Sequence, residues 1–423
     1  MPRYKRLLRA VGGEALSKSY YVFLLVHTTF LISTRLPGVF INTLLLGESN
    51  DLGVVMLYNL AFFLSGAVSM ALAAFVMHRT SAGFVAITGI MVYNVLYVAL
   101  IGILLTGRSA SDYHIALGVL MGVADGFYWL AYGNLLADNT GFESRDSGLA
   151  ILSIFDSSVN LVIPLLSGWI IFIIGSLTGY LVVFALAFAV SIVTSVLALR
   201  LPRGGHGKGA EVNYVHTLRA VRRDRALHFS LLAQGCKGIR EGVFTFILSI
   251  VLYQLIRSEL LVGINTFVTA LVSILSFAIM SRTVTQRNRV KMMILAAAVL
   301  IAAALADMLW ISVFMVFLFT VFNAFFSGFI NNSCITNFFD MLQKSRELDG
   351  HQPEMIALNE CYLVVGRSIG IAFILGMTWL FGDSLVMQMT CLLILSFTQF
   401  ITAGLCRISE KADQRKDRSE VIQ

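Results

Sequence analysis

Three charged side chains in one apolar stretch are the first candidates for a functional site in this chain. Lys237, Arg240 and Glu241 lie in AQGCKGIREGVFTFIL, residues 233–248, which is otherwise typical of a membrane span. A charge at the bilayer centre costs about 2.5 to 3.5 kcal/mol even on the insertion scale, so such residues face protein or water and usually serve a function. Lys237 and Glu241 are four residues apart and are predicted to pair along a helix. The stretch therefore indicates either a polar binding site or a structural ion pair inside a membrane.

More ionisable residues occur at hydrocarbon depth in other apolar segments. They are Arg35, Asp125, Asp156, Glu360 and Arg367. Glu360 and Arg367 are seven residues apart and share a helix face, whereas Arg240 is rotated about 100° from Glu241 and need not join its ion pair. Burial and a nearby arginine act in opposite directions on the protonation of a carboxyl group. Asp125, Glu241, Asp156 and Glu360 are therefore candidates for binding a coupling proton.

The elements that position these residues follow from composition. Hydrophobic residues make up 57% of the 423 residues and charged residues 13%, far from the composition of a soluble domain. Windows of about 20 apolar residues, the length that crosses a bilayer as a helix, recur along the chain. The predicted spans are 20–46, 53–77, 82–106, 114–137, 148–172, 175–200, 229–255, 260–281, 290–308, 310–334, 355–381 and 384–406. The predicted fold class is an all-α integral membrane protein with twelve transmembrane helices.

The positions of Lys and Arg predict the orientation. Most of the 31 Lys and Arg residues fall in the loops that are cytoplasmic if both termini are inside. We therefore expect a multi-pass protein of the plasma (inner) membrane with both termini cytoplasmic. The net charge of +7 belongs to this rim, which indicates contact with membrane lipids and gives no reason to expect nucleic acid. The basic start MPRYKRLLRA lacks a cleavage site, so no removable signal peptide is predicted.

Short matches at a nearly constant offset indicate a parallel internal repeat. VMHRT at 76–80 is echoed by IMSRT at 279–283, and GVF at 38–40 recurs at 242–244. Residues 1–201 are predicted to form an N-terminal six-helix bundle and residues 229–406 a C-terminal one. Residues 202–228 between them form a cytoplasmic linker with an amphipathic helix, and residues 407–423 a cytoplasmic tail.

Several classes of site are not indicated. The five cysteines show no CxxC spacing, and the chain has no HExxH motif. His27 stands alone in its span. We therefore expect no catalytic residues, no metal site and no cofactor, and these patterns argue against an intramembrane enzyme.

Twelve spans, a basic connector and a six-helix repeat together resemble the major facilitator superfamily over essentially the whole chain. Locally, AFVMHRTSAG resembles the superfamily's loop signature after helix 2, and IPLLSGWI, with Pro164 and Gly168, resembles its antiporter motif in helix 5. The resemblance implies a secondary active transporter that works by alternating access, with helices 1, 4, 7 and 10 lining a central cavity. It also implies that Arg35 and Arg240 face each other across the pseudo-two-fold axis, and the helix 5 motif favours export.

The expected substrate is a small anionic or zwitterionic solute, because arginines lie near the implied centre of the cavity. Asparagines and an aromatic cluster in the same spans add hydrogen bonds and a wall. The predicted substrate-binding residues are Arg35, Asn42, Asp125, Tyr128, Trp129, Arg240, Glu241, Asn331 and Arg367.

Alternatives to this substrate remain open. They are a flippase for a lipid-linked or amphiphilic anion, a proton-driven multidrug exporter, a non-transporting receptor, and charges that serve only as structural ion pairs. We expect a monomer whose coupling ion is a proton.

A glycine ladder is the last feature. Gly118, Gly122 and Gly126 are spaced by four residues, and Gly366 and Gly370 repeat the spacing. Small residues at this spacing allow two membrane helices to approach closely. The ladders are therefore predicted to serve helix packing rather than binding.

Overall fold

The computed structural model describes residues 17–139, 145–201, 214–345, 348 and 352–422. Regular structure in this part of the chain is helical throughout. The N-terminal helices are α1 (Lys18–Gly38), α2 (Phe40–Ser49), α3 (Leu52–Arg79), α4 (Ala82–Leu105), α5 (His114–Asn139), α6 (Arg145–Ile174) and α7 (Ser176–Ala198). The C-terminal helices are α8 (Tyr214–Arg223), α9 (Arg225–Phe244), α10 (Ile247–Ile256), α11 (Glu259–Thr283), α12 (Arg289–Leu309), α13 (Val313–Lys344), α14 (Gln352–Phe381) and α15 (Leu385–Ile422).

Twelve segments of the described chain are long and apolar enough to cross a membrane. In two of them a short break divides the span into two helices, namely α1 with α2 and α9 with α10. Helices satisfy their own backbone hydrogen bonds, as lipid requires. The predicted fold class of an all-α, multi-pass membrane protein is confirmed.

Both broken spans are interrupted at the repeated GVF sequence. In the first, Pro37 lies in the last turn of α1, and Val39 forms a turn between Gly38 and the start of α2. In the second, α9 ends at Phe244 and α10 begins at Ile247. Proline has no backbone N–H group to donate to the carbonyl group one turn earlier, which weakens the helix near the first break. The two halves therefore share a local irregularity as well as a sequence match, as expected for an internal repeat.

The described residues group into two compact units, of which the N-terminal unit holds α1 to α7 apart from residues 50–56. Within it, α1 packs against α6 and α7, and α4 packs against α5 and α7. The glycines of α5 lie against the backbone of α3. A methyl group added at Gly122 would overlap the carbonyl oxygen of Phe62, and one at Gly126 would overlap that of Gly66. The ladder therefore sets how closely these two helices approach.

The C-terminal unit is organised around α9, which packs against α13, α14 and α15. Gly366 and Gly370 of α14 lie directly against the backbone of α9, at the carbonyl oxygens of Gly235 and Ile239. This close approach brings charged side chains of α9 and α14 within hydrogen-bonding distance of one another.

Two elements lie beside the spans of the C-terminal unit. The helix α8 buries Thr217, Ala220 and Val221 and leaves its arginines exposed, whereas residues 202–213 of the predicted linker lie outside the described residues. The last span was predicted to end at residue 406, but α15 continues to Ile422. Its extension, SEKADQRKDRSE, is rich in residues with high helix propensity, and Asp413 within it pairs with Lys344 of α13.

Candidate functional site

A cavity of about 180 Å³ lies inside the C-terminal unit. Its lining residues are Lys237, Arg240, Glu241, Phe244, Thr245, Asn323, Ser327, Asn331 and Gln399. Helix α9 contributes a charged face through residues three and four apart, and α13 contributes polar residues at an interval of four. The cavity wall therefore combines ionised groups with amides and hydroxyls, the side chains that hold a hydrophilic solute.

A chain of ion pairs runs from the cavity into α14. Lys237 Nζ lies 3.3 Å from Glu241 Oε2, and Arg367 Nη2 donates a hydrogen bond of 2.6 Å to Glu241 Oε1. Arg367 Nη1 lies 3.5 Å from Glu360 Oε2. The predicted pairing of Lys237 with Glu241 is present, and Arg367 adds a second cation to the same carboxylate. Glu241 is thereby held in a fixed orientation at the edge of the cavity.

Arg240 has different surroundings from the other cations. It is 4% exposed, its Nη2 donates to Asn323 Oδ1 at 2.5 Å, and its guanidinium lies 3.7 Å from the centre of the Phe244 ring. Among the described residues it forms no ion pair, and its Nε is buried without a hydrogen-bond partner. This buried guanidinium therefore lines the cavity with a free donor and without a partner for its charge.

The N-terminal unit holds a second group of the predicted residues. Tyr128 of α5 is 2% exposed and stacks on Phe30, and its hydroxyl lies 2.9 Å from His27 Nδ1. Asp156 Oδ1 of α6 lies 3.2 Å from His27 Nε2. Trp129 packs edge-on against the His27 ring. His27 has no second histidine in its own span, but α5 and α6 bring it partners more than a hundred residues away in the sequence.

The other predicted residues of this unit have separate partners. Asp125 accepts a hydrogen bond of 2.6 Å from Tyr93 Oη, and Asn42 accepts one of 2.9 Å from Asn59 Nδ2. Arg35 is half-buried on α1 and has no ion pair within the described residues. The N-terminal residues on the predicted binding list therefore do not converge on one point of this unit.

Asn331 of the cavity wall was on the predicted binding list, whereas Asn323, Ser327 and Gln399 were not. Asn323, Ser327 and Asn331 follow each other at an interval of four, a signal that the sequence contained. Gln399 gave no such signal, because no other lining residue belongs to its helix. Asp307 was also missed: it is 1% exposed, and neither carboxylate oxygen has a partner in the described part of the chain. No group of three or more potential metal ligands occurs in that part either.

The sequence model of the Major Facilitator Superfamily matches residues 23–346. The chain belongs to this superfamily. The predicted resemblance is thus confirmed, and the coarse function follows: the protein belongs to a family of secondary transporters, which points away from an enzyme.

Sequence relatives add no substrate. The chain is 25% identical over 370 residues to YqgE of Bacillus subtilis (strain 168), a protein described as uncharacterised, with 86% of this chain and 84% of the relative covered. It is 29% identical over 212 residues to an uncharacterised protein encoded in the sodM 3' region of Geobacillus stearothermophilus, covering 48% of this chain and 98% of the relative.

Solved structures share the fold. A structure reported for substrate recognition in proton-dependent oligopeptide transporters aligns with a TM-score of 0.67 at 11% identity, covering 94% of this chain and 99% of the other. A variant of the nucleoside transporter NupG aligns with a TM-score of 0.68 at 10% identity, covering 93% of this chain and 100% of the other. At these identities the likeness concerns the fold alone.

Proposed function

We propose that this protein is a secondary active transporter of a small anionic or zwitterionic solute, working by alternating access and coupled to protons. The observation that carries the proposal is Arg240, a buried cation beside a polar cavity without an acidic partner among the described residues. A negatively charged group of the solute supplies the partner that this guanidinium lacks. Arginine suits carboxylates and phosphates in particular, because its planar fork donates two parallel hydrogen bonds.

The charge balance of the cluster supports this choice of substrate. Three cations, Lys237, Arg240 and Arg367, stand against two carboxylates, Glu241 and Glu360. The cluster therefore has one positive charge in excess, which a monovalent anion neutralises. Glu241 also borders the cavity, so a zwitterion can place its ammonium group against this carboxylate and its own carboxylate against Arg240.

The size of the cavity favours a small solute. Its volume of about 180 Å³ is below the roughly 300 to 1,000 Å³ of pockets that enclose drug-sized ligands. Its polar lining also contrasts with the mainly apolar walls that hold such ligands. The cavity thus favours a solute over the drug of a multidrug exporter or the amphiphile of a flippase, and the experiment below includes both classes.

The proposal is tested by a thermal-stability screen of the purified protein against organic anions, amino acids, sugars, nucleosides, drugs and lipids. A compound at 100 times its Kd is expected to add about 2.7 kcal/mol of stability if it binds only the folded form. Small anions or zwitterions are expected to stabilise the wild type, and Arg240→Ala is expected to abolish this shift. Arg240→Lys retains the positive charge but loses the planar guanidinium with its two parallel donors, so a smaller ligand-induced stabilisation is expected.

A matched control separates binding from general damage. Arg289 is also a buried arginine of the C-terminal unit, and it pairs with Asp340 away from the cavity. Arg289→Ala is expected to unfold at a lower temperature yet retain the full ligand-induced shift. Stabilisation by drugs or lipids alone, equal in wild type and Arg240→Ala, would contradict the proposed substrate class and favour the multidrug or flippase alternative.

Proton coupling is proposed for Asp125, Glu241, Asp156 and Glu360, and export as the direction. Two cations contact Glu241, whereas Asp125 is bonded by a neutral tyrosine and Asp156 faces a histidine. Asp125 and Asp156 are therefore the leading candidates. In proteoliposomes, Asp125→Asn, Asp156→Asn and Glu241→Gln each remove one acid while retaining its shape. If all three variants transport a stabilising compound as well as wild type under a pH gradient, none of these residues couples transport to protons.

A further inference from the structure

His27 has an unusual combination of burial and partners. Its side chain is 0% exposed, and both ring nitrogens face polar atoms: Nδ1 lies 2.9 Å from Tyr128 Oη, and Nε2 lies 3.2 Å from Asp156 Oδ1. The rings of Phe23 and Tyr132 cover the imidazole, with centroids at 6.1 and 4.4 Å. Three helices thus converge on one histidine inside the N-terminal unit.

This arrangement accommodates the imidazole in both protonation states. In the neutral ring, Nδ1 carries the hydrogen and donates it to the Tyr128 oxygen, while the lone pair of Nε2 faces Asp156. In this state Nε2 and Asp156 Oδ1 are both buried without a hydrogen-bond partner. A proton that binds to Nε2 points toward Asp156 Oδ1, so it supplies the donor that both atoms lack.

The titratable groups around His27 determine the net charge of this site. From the helices packed against it, the titratable groups in the described residues are Tyr20 of α1, Tyr128 and Tyr132 of α5, and Asp156 of α6. Helix α7, which also packs on α1, contributes no charged side chain. The unprotonated pair carries one negative charge from Asp156, and the protonated pair sums to zero. Isolated charge is costly at this depth, whereas a contacting pair of opposite charges is less so.

We propose that His27 and Asp156 form a proton-binding site inside the N-terminal unit, built separately from the charged cavity of the C-terminal unit. The inference rests on the proposed proton coupling and assigns the proton to this pair, with Tyr128 as the positioning residue. Asp156 keeps 32% of its side-chain surface accessible, so the proton enters at the carboxylate and passes to the buried imidazole. Binding of a proton adds one positive charge to the His27–Asp156 pair, and no bond between heavy atoms changes.

Trp129 provides a probe of this site that requires no solute. Its ring centroid lies 5.9 Å from that of His27. A protonated imidazole quenches the fluorescence of an indole in contact with it, whereas a neutral imidazole does so weakly. The other tryptophans, Trp169, Trp310 and Trp379, are 52%, 72% and 84% exposed, so each can be replaced by phenylalanine with little loss of packing. The full chain with Trp129 alone then reports on His27.

The experiment is a fluorescence titration of this single-tryptophan protein in lipid nanodiscs between about pH 5 and pH 9, the range that spans histidine titration. The expected result is one transition in which emission falls as pH decreases. His27→Gln is expected to abolish the transition. Asp156→Asn is expected to shift the midpoint of the transition, because an amide replaces the carboxylate that faces the imidazole.

The controls keep the outcome decisive. A protein with Trp169 alone is expected to show no transition. A transition that persists unchanged in His27→Gln would overturn the proposal. If His27→Gln does not fold, an unmoved midpoint in Asp156→Asn would overturn it as well. The titration does not depend on transport. If the transition is observed but none of the tested solutes is transported, the proton site is supported and the proposed function loses support.

Discussion

Removing the charge of Glu241 is predicted to destabilise the C-terminal unit by about 3 to 5 kcal/mol, the range measured when one partner of a buried ion pair is removed. Glu241 contacts two cations, at 2.6 Å from Arg367 and 3.3 Å from Lys237. At an effective dielectric constant of about 20, these distances correspond to gross attractions of roughly 6 and 5 kcal/mol. Desolvation of the three groups offsets more than half of that sum. Their side chains are only 8% to 21% exposed, so water screens the attraction little.

The same geometry predicts that a second substitution restores part of the loss. Glu241→Gln leaves Lys237 and Arg367 facing each other without the carboxylate between them. Adding Lys237→Gln removes one of these cations, so the double variant is expected to be more stable than the sum of the two single effects by about 1 to 3 kcal/mol, within the usual range of coupling between contacting residues. The free energy of unfolding is measured by denaturant titration in mixed micelles, with all variants under one condition.

Lys344 provides the matched control. It pairs with Asp413 at the far end of α13, outside the cavity. Lys344→Gln combined with Glu241→Gln is therefore expected to be additive within about 0.5 kcal/mol. If the Lys237 pair were equally additive, or if Glu241→Gln cost less than about 1 kcal/mol, the ion-pair chain would not be the stabilising unit inferred from its distances.

Three further variants are tested by thermal unfolding, the first two beside a control variant. Gly122→Ala is expected to cost about 1 to 3 kcal/mol, because its methyl group meets backbone, whereas Gly133→Ala meets nothing within 4 Å and is expected to cost none. Val221→Asp is expected to detach α8 because Val221 is 0% exposed, and Val215→Asp, at 60% exposed, is expected to be neutral. Asp307→Asn is expected to raise stability by about 1 kcal/mol or more at pH 8, since it removes a buried carboxylate without a partner; unchanged stability would contradict that reading.

Hydropathy and charge were sufficient to predict the fold class, because a membrane span is a local property of about 20 consecutive residues. The superfamily followed from features that are also linear, namely the number of spans and a repeat at constant offset. The pair Lys237 and Glu241 belongs to the same category, since residues four apart on a helix always lie close together. The end of α15 could not be predicted in this way, because hydropathy marks where lipid contact stops rather than where the helix stops.

The partners of the charged residues could not be predicted for the opposite reason. Which side chain faces Arg240 or His27 depends on how neighbouring helices are rotated and how closely they pack. Asn323 is 83 residues from Arg240, and Asp156 is more than a hundred from His27. A single sequence carries no record of such distances. The close approach at Gly366 and Gly370 was predicted, but the ion pair between Arg367 and Glu241 that it permits emerged only from the coordinates.

The excess positive charge beside the cavity has an electrical consequence. The pairs among Lys237, Glu241, Arg367 and Glu360 lie within one unit, so they move with it and keep their contacts. The unpaired charge of Arg240 moves with them. An elementary charge that crosses the full membrane potential exchanges about 2.3 kcal/mol per 100 mV, and partial crossings scale with the fraction of the field. If the solute is a monovalent anion, as proposed, its binding neutralises this cluster, and voltage then acts on the cluster only while no solute is bound.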